Sequence, residues 1–179
     1  MSMQSAYLTQ LRSKDLIRVE MVCLGNICRS PMAAAVLHNK TLNLRTPRYE
    51  VTSSGTSGWH DGESAHHLSE KTWKRAGYTY SHISRKFQLD FFDSADLILA
   101  MDLTNRANIL NGARTESDRE KVFMLRSFDP ELSEIDPTSP AAENLQVPDP
   151  WGEEIDAYQE VLDMIERATD GLIANLSQR

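Results

Sequence analysis

The chain has 179 residues, 40% of them hydrophobic and 25% charged, with a formal net charge of −7. That length suits one domain of ordinary size, and the composition is neither the apolar-poor mixture of a disordered chain nor the apolar excess of a membrane protein. An acidic chain lacks the basic face on which affinity for nucleic acid or anionic membrane rests, so an anionic ligand must be caught by a local basic pocket.

Residues 1–15 read as a loosely held N-terminal extension, with 16–179 forming a single domain. The extension shows no continuous apolar stretch of the secretory kind, which predicts a cytoplasmic protein whose two cysteines, Cys23 and Cys28, stay reduced. Residues 17–22 alternate apolar and polar and then turn fully apolar, as a strand entering a buried sheet does. A loop at 23–29 follows. Ser30 is placed to cap a helix over 32–40, with Pro31 at its first position. Residues 49–53 predict a second strand, and 64–76 a helix closed by Gly77. The nearly all-apolar run 96–101 predicts a central parallel strand covered on both faces. Residues 104–110 predict a short helix ended by Asn111 and Gly112, and 121–125 a fourth strand. The acidic, proline-rich stretch 126–150 reads as a long loop, and loops of such length tend to carry function. Ile155, Tyr158, Leu162, Ile165, Leu172 and Leu176 fall at helical spacing and predict an amphipathic terminal helix.

Strands alternating with helices predict an α/β fold: three layers, with a parallel sheet covered by helices on both faces. Ligands of such sheets sit beyond the carboxyl ends of the strands, which singles out the loop after the first strand. There Cys23 is followed by Leu24, Gly25, Asn26, Ile27 and Cys28, and then by Arg29 and Ser30. A short loop wrapped on itself turns successive backbone N–H groups inward as a nest for an anion, and the helix that follows adds its positive end. Gly25 is expected to permit the backbone angles of a tight ring, and Asn26, which tolerates a left-handed conformation better than most residues, to brace the ring with its side-chain amide. Arg29 offers a planar fork that matches two phosphate oxygens. The same field favours the thiolate of Cys23, a nucleophile for phosphorus, and Ser30 can hydrogen-bond its sulfur. Cys28 is left between simple packing and a disulfide with Cys23 under oxidation.

The run Val22-Cys23-Leu24-Gly25-Asn26-Ile27-Cys28-Arg29-Ser30-Pro31 resembles the signature of the low molecular weight protein tyrosine phosphatases. Further along the chain, Ser53-Ser54-Gly55 resembles the family's turn after the second strand. Trp59 stands where its members carry an aromatic wall, and His82 and Arg85 match the His and Arg after the second helix. Met101-Asp102, Ser127-Phe128-Asp129-Pro130 and Asp149-Pro150 complete the match. The resemblance implies a four-stranded sheet of order 2-1-3-4 and metal-free, cofactor-free hydrolysis of phosphotyrosine in proteins or peptides, releasing inorganic phosphate. It implies Cys23 as nucleophile, Arg29 as oxyanion clamp and Asp149 as general acid. Leu24 to Cys28, Ser30, Trp59 and Trp151 would contact substrate, supported by Ser54, His82 and Asp102.

Asp129 and Asp136, which also precede prolines, rival Asp149. His82 is expected to brace Asn26 through a buried network. Asp102 reads equally well as a pocket residue and as the N-cap of the next helix. His66 and His67 read as a solvated helix face, not metal ligands, because adjacent helical side chains point apart. Trp151 stands where many relatives carry a tyrosine pair. Ile27 replaces the threonine of related phosphoarginine phosphatases and so favours an aryl substrate. A thiol-dependent arsenate reductase on the same fold would need a relay of further cysteines.

Overall fold

A computed structural model describes residues 3–178. Strand β1 (Leu16–Cys23) runs through the middle of the sheet. It pairs in parallel with β2 (Arg48–Gly55) on one side and β3 (Leu97–Ala100) on the other, and β4 (Val122–Met124) lies beyond β3. The order is β2-β1-β3-β4, as the family resemblance implies. Register puts Cys23 opposite Gly55 and Val22 opposite Ala100, so the ends of β1, β2 and β3 share one edge.

Alternation along β1 divides the interior in two. Ile17, Val19 and Met21 face a core built with α2 (Arg29–Thr41), α3 (His67–Arg75) and α7 (Ile155–Leu176). Val22 faces a second core, which holds Phe92 of the short helix α4 (Phe91–Ser94) and Ile109 of α5 (Leu103–Gly112). Sheet and two helical layers make the three-layer α/β fold. No helix among the described residues is long and apolar enough to cross a membrane.

Several boundaries differ from the sequence expectation, each for a local reason. The N-terminal segment is not loose: Met3–Leu11 forms a helix, α1, that buries Tyr7 and Leu11 in the first core. The Tyr7 hydroxyl donates to the Asp96 carbonyl (2.6 Å), Gln4 Nε2 to the Val122 carbonyl (3.0 Å), and Arg12 to Asn175 of α7. The first two residues of the expected extension lie outside the described residues. Ser30 is not the cap of α2, which begins at Arg29 after Cys28 and has no side-chain cap. The Ser30 hydroxyl is engaged instead with the Cys23 sulfur and the Asn26 amide.

Helix α3 begins at His67, later than Ser64, because Glu63 and His66 are tied by backbone hydrogen bonds to Ser84 and Ile27. Its cap is His66, whose Nδ1 accepts from Leu68 N (3.2 Å). Gly77 closes it at φ +94°, a left-handed residue suited to glycine. Gly112 ends α5 as its last residue, not as a residue beyond it. A second unexpected short helix, α6, spans Glu116–Arg119. The proline-rich stretch holds three turns of 3₁₀-helix, Leu125–Phe128, Pro130–Leu132 and Pro140–Leu145. It returns to the sheet where Val147 N donates to the Met101 carbonyl (2.8 Å), which carries the next residues to the ends of the strands.

Candidate active site

Cys23 is the last residue of β1, buried at the base of the loop that joins β1 to α2. Its Sγ lies 3.0 Å from Ser30 Oγ and accepts the Asn26 backbone N–H at 3.3 Å. The residue that takes the left-handed conformation is Asn26 (φ +57°), not Gly25. Gly25 instead answers a close approach, since a Cβ there would sit 3.1 Å from His60 Cδ2. A second close approach explains Gly55, which closes β2 and is not part of a separate turn. A Cβ there would lie 2.7 Å from the Leu24 carbonyl oxygen, so only glycine lets the loop lie against the strand end.

Asn26 is held from every side. Its Nδ2 donates to Ser30 Oγ (2.8 Å) and Ser53 Oγ (3.0 Å), and its Oδ1 accepts Arg85 N (3.0 Å). Its carbonyl accepts the Ser84 hydroxyl (2.7 Å) and lies 2.7 Å from His82 Nε2. Burial first, and then Arg85, push the His82 imidazole below its usual value, so it stays neutral. Ser54 touches the loop through its carbonyl, 3.4 Å from Ser30 Oγ. Ser53 and Ser84, which sequence reasoning missed, make the closer contacts; an outward or inward hydroxyl at those positions carries no periodic signal.

Arg29 is 3% exposed. Its Nη1 donates to Asp102 Oδ2 (2.7 Å) and to the Val147 carbonyl (3.0 Å), and Nη2 lies 3.7 Å from Asp149 Oδ2. Burial works against the guanidinium charge, but Cys23, Asp102 and Asp149 together raise its pKa above the ordinary value. Asp102 fills both roles open to it. While Oδ2 holds Arg29, Oδ1 accepts Asn105 N (2.7 Å) as the cap of α5.

Asp149, 47% exposed in its side chain, accepts Trp151 N on Oδ1 (3.1 Å) and turns Oδ2 toward Arg29. Its two rivals lie elsewhere. Asp129 is buried against Arg167 and caps a 3₁₀ turn, and Asp136 caps Thr138. A cavity of about 280 Å³ opens over these groups. Cys23, Leu24, Gly25, Ile27, Cys28 and Arg29 form its floor, and Trp59, His60, Asp149 and Trp151 its walls. Trp59 is 75% exposed and Trp151 64%, so both rings stand as walls and neither is packed into the interior. His60, absent from the sequence expectation, is held by Glu63 through Nδ1.

Cys28 Sγ lies 3.6 Å from the Tyr158 hydroxyl. Burial pushes its thiol up to about 12, so it remains protonated at neutral pH. Both cysteines are free and buried. His67 is exposed as a solvated helix face requires, whereas His66 is half-buried, and the two side chains do not point apart. Their rings stack at 4.5 Å, and His66 also stacks on Tyr158, with Nδ1 3.3 Å from its hydroxyl.

A parallel sheet whose first strand delivers a cysteine into an amide-lined loop, closed by a buried arginine at the head of a helix, is a device for holding a tetrahedral oxyanion over sulfur. The family profile described as low molecular weight phosphotyrosine protein phosphatase matches residues 18–179, and the chain belongs to that family. A low molecular weight protein-tyrosine-phosphatase of Streptomyces coelicolor is 39% identical over 163 residues, covering 90% of this chain and 94% of that protein. A crystal structure of a protein tyrosine phosphatase from Entamoeba histolytica superposes with a TM-score of 0.78 at 32% identity, over 90% of this chain and 97% of that one. The YwlE arginine phosphatase of Geobacillus stearothermophilus superposes at 0.73 with 31% identity, over 89% and 92%.

Proposed function

We propose that this chain hydrolyses phosphotyrosine in proteins or peptides through a phosphocysteine intermediate, in the cytoplasm. One observation carries the reading: Cys23 Sγ, the Arg29 guanidinium and the Asp149 carboxyl converge on one cavity walled by two exposed indoles. The Cys23 thiolate attacks phosphorus in line. As the P–S bond forms, the bond to the phenolic oxygen breaks, and Asp149 gives that oxygen its proton. A phenol of pKa ~10 leaves poorly as an anion at neutral pH, which is why the acid is needed. Water then attacks phosphorus, Asp149 takes its proton, and the sulfur leaves, stabilised by the Ser30 hydroxyl 3.0 Å away. Arg29 and the loop amides hold the equatorial oxygens through both steps, the electrostatic contribution that dominates phosphoryl transfer.

Ile27 supports an aryl substrate, since this apolar residue lines the cavity together with Trp59 and Trp151. Arsenate reduction is disfavoured because the chain has two cysteines and both are buried, with no third thiol to pass a disulfide outward. The test is hydrolysis of peptides carrying phosphotyrosine, phosphoserine or phosphoarginine, in chelator and without added metal. Phosphotyrosine is expected to react fastest. Faster phosphoarginine turnover transfers the assignment to the arginine phosphatases, and no turnover of any ester refutes the reading.

A further inference from the structure

Glu20 sits in the middle of β1, 3% exposed, in a strand whose neighbours Val19, Met21 and Val22 are all buried apolar residues. A buried carboxylate is unfavourable unless it is paired and hydrogen-bonded, and the phosphatase steps make no use of this one. Its Oε1 accepts the Thr52 hydroxyl of β2 (2.7 Å) and Arg85 Nη2 (2.8 Å). Arg85 is anchored twice more. Its Nε donates to the Ser53 carbonyl (3.1 Å), and its guanidinium lies 4.3 Å over the Phe91 ring.

These anchors place the Arg85 main chain against the phosphate loop. Its carbonyl accepts Gly55 N (2.9 Å) and its N–H donates to Asn26 Oδ1 (3.0 Å). That last bond sets a direction. An N–H can face only the oxygen of a side-chain amide, so the Asn26 Nδ2 must point the other way, to Ser30 Oγ at 2.8 Å. Ser30, accepting there, has its own proton to give, and the nearer acceptor is Cys23 Sγ at 3.0 Å, against the Ser54 carbonyl at 3.4 Å. Arg85 thus donates to Glu20 from its side chain and to Asn26 from its main chain, and from Asn26 each group donates to the next through Ser30 to the nucleophilic sulfur.

We propose that Glu20 is a positioning residue: by fixing Arg85 it orients the Asn26 amide and so aims the Ser30 hydroxyl at Cys23. The proposal rests on the reading of Cys23 as nucleophile. A hydrogen bond donated to sulfur favours the thiolate over the thiol, so loosening the path weakens both the nucleophile and the leaving group.

The test compares Glu20→Leu with Glu20→Gln. Leucine fills similar volume without a buried charge, and the Arg85 side chain it frees is already 44% exposed to water, so no charge is left buried without a partner. Expected for Glu20→Leu is a melting temperature close to wild type with kcat on an aryl phosphate lowered ~10-fold, below the ~10²-fold that a ~1 Å misplacement of a reacting group can cost. Expected with it is a shift to higher pH of the rate profile for alkylation of Cys23. Glu20→Gln keeps the oxygen that Thr52 and Arg85 use, and it is expected to recover most of both. A merely structural role would move neither readout at matched stability. Should the leucine variant fail to fold, Arg85→Met carries the same expectation. Wild-type kcat together with an unshifted alkylation profile overturns the proposal. Because alkylation needs no substrate, it tests the path even if wild type hydrolyses no phosphate ester, so the two failures are distinguishable.

Discussion

Replacing Asp149 by asparagine keeps the side chain's size and its acceptor for Trp151 N but removes the proton that the proposed mechanism gives to the phenolate. General acids contribute ~10²–10⁴ in rate. Asp149 belongs in the lower half of that range, because with 47% of its side chain exposed, water reaches the leaving group and partly substitutes for it. The expected loss in kcat on phenyl phosphate is therefore ~10²–10³, or ~3–4 kcal/mol of transition-state stabilisation. For an ester whose phenol is acidic enough to depart as an anion, the expected loss is under ~10-fold, since little proton transfer remains to be catalysed. The assay is kcat for wild type and Asp149→Asn across a series of aryl phosphates of graded phenol acidity. The variant should show a steep dependence on leaving-group pKa where wild type shows a shallow one. Equal slowing across the series refutes the assignment, because a carboxylate that only positioned Arg29 would act on every ester alike.

Cys23→Ser should abolish turnover while inorganic phosphate still binds the loop, as seen by calorimetry; steady turnover by purified variant would remove Cys23 from the chemistry. Cys28, its thiol pushed up to about 12 by burial, stays protonated at neutral and mildly alkaline pH. Iodoacetamide on the native protein at pH 8 should therefore modify Cys23 and spare Cys28, and peptide mapping that finds equal labelling contradicts this. Tyr7→Ala removes a buried ring and its hydrogen bond to the Asp96 carbonyl. The expected destabilisation is ~3 kcal/mol, lowering Tm by ~10 °C. Activity at 25 °C should hold, since Asp96 precedes β3, at the opposite end of the sheet from Cys23. An unchanged Tm would mean that α1 contributes nothing to the fold.

The parts legible in the chain alone were those whose physics is local. Residues 17–41 announce a buried strand, an anion loop and a helix because period, glycine, cysteine and arginine all fall in one continuous segment, and α7 is visible from its apolar spacing over several turns. The pairing of Cys23 with Arg29 needs no knowledge of anything distant. What tertiary structure decided was which remote groups meet that loop. Residue type and spacing alone leave Asp149, Asp129 and Asp136 level, and apart from the family resemblance it is the bonds from Val147 N to Met101 and from Arg29 to the Val147 carbonyl that bring Asp149 to the cavity.

The same holds for backbone detail and for burial. Both Gly25 and Asn26 tolerate unusual angles, and packing of His60 on one and a ring of hydrogen bonds around the other chose between them. α1 carries little amphipathic pattern, so its place under the sheet follows from Tyr7 and Leu11 finding a core that other segments build. Glu20 falls at a polar position in the alternating run 17–22. It is buried in the folded sheet, and Thr52 of β2 and Arg85, both distant in the chain, make that burial tolerable. Short-range pattern determines which elements form and what chemistry they carry, whereas long-range contact sets the direction of each hydrogen bond, because donors and acceptors from distant segments must be satisfied together.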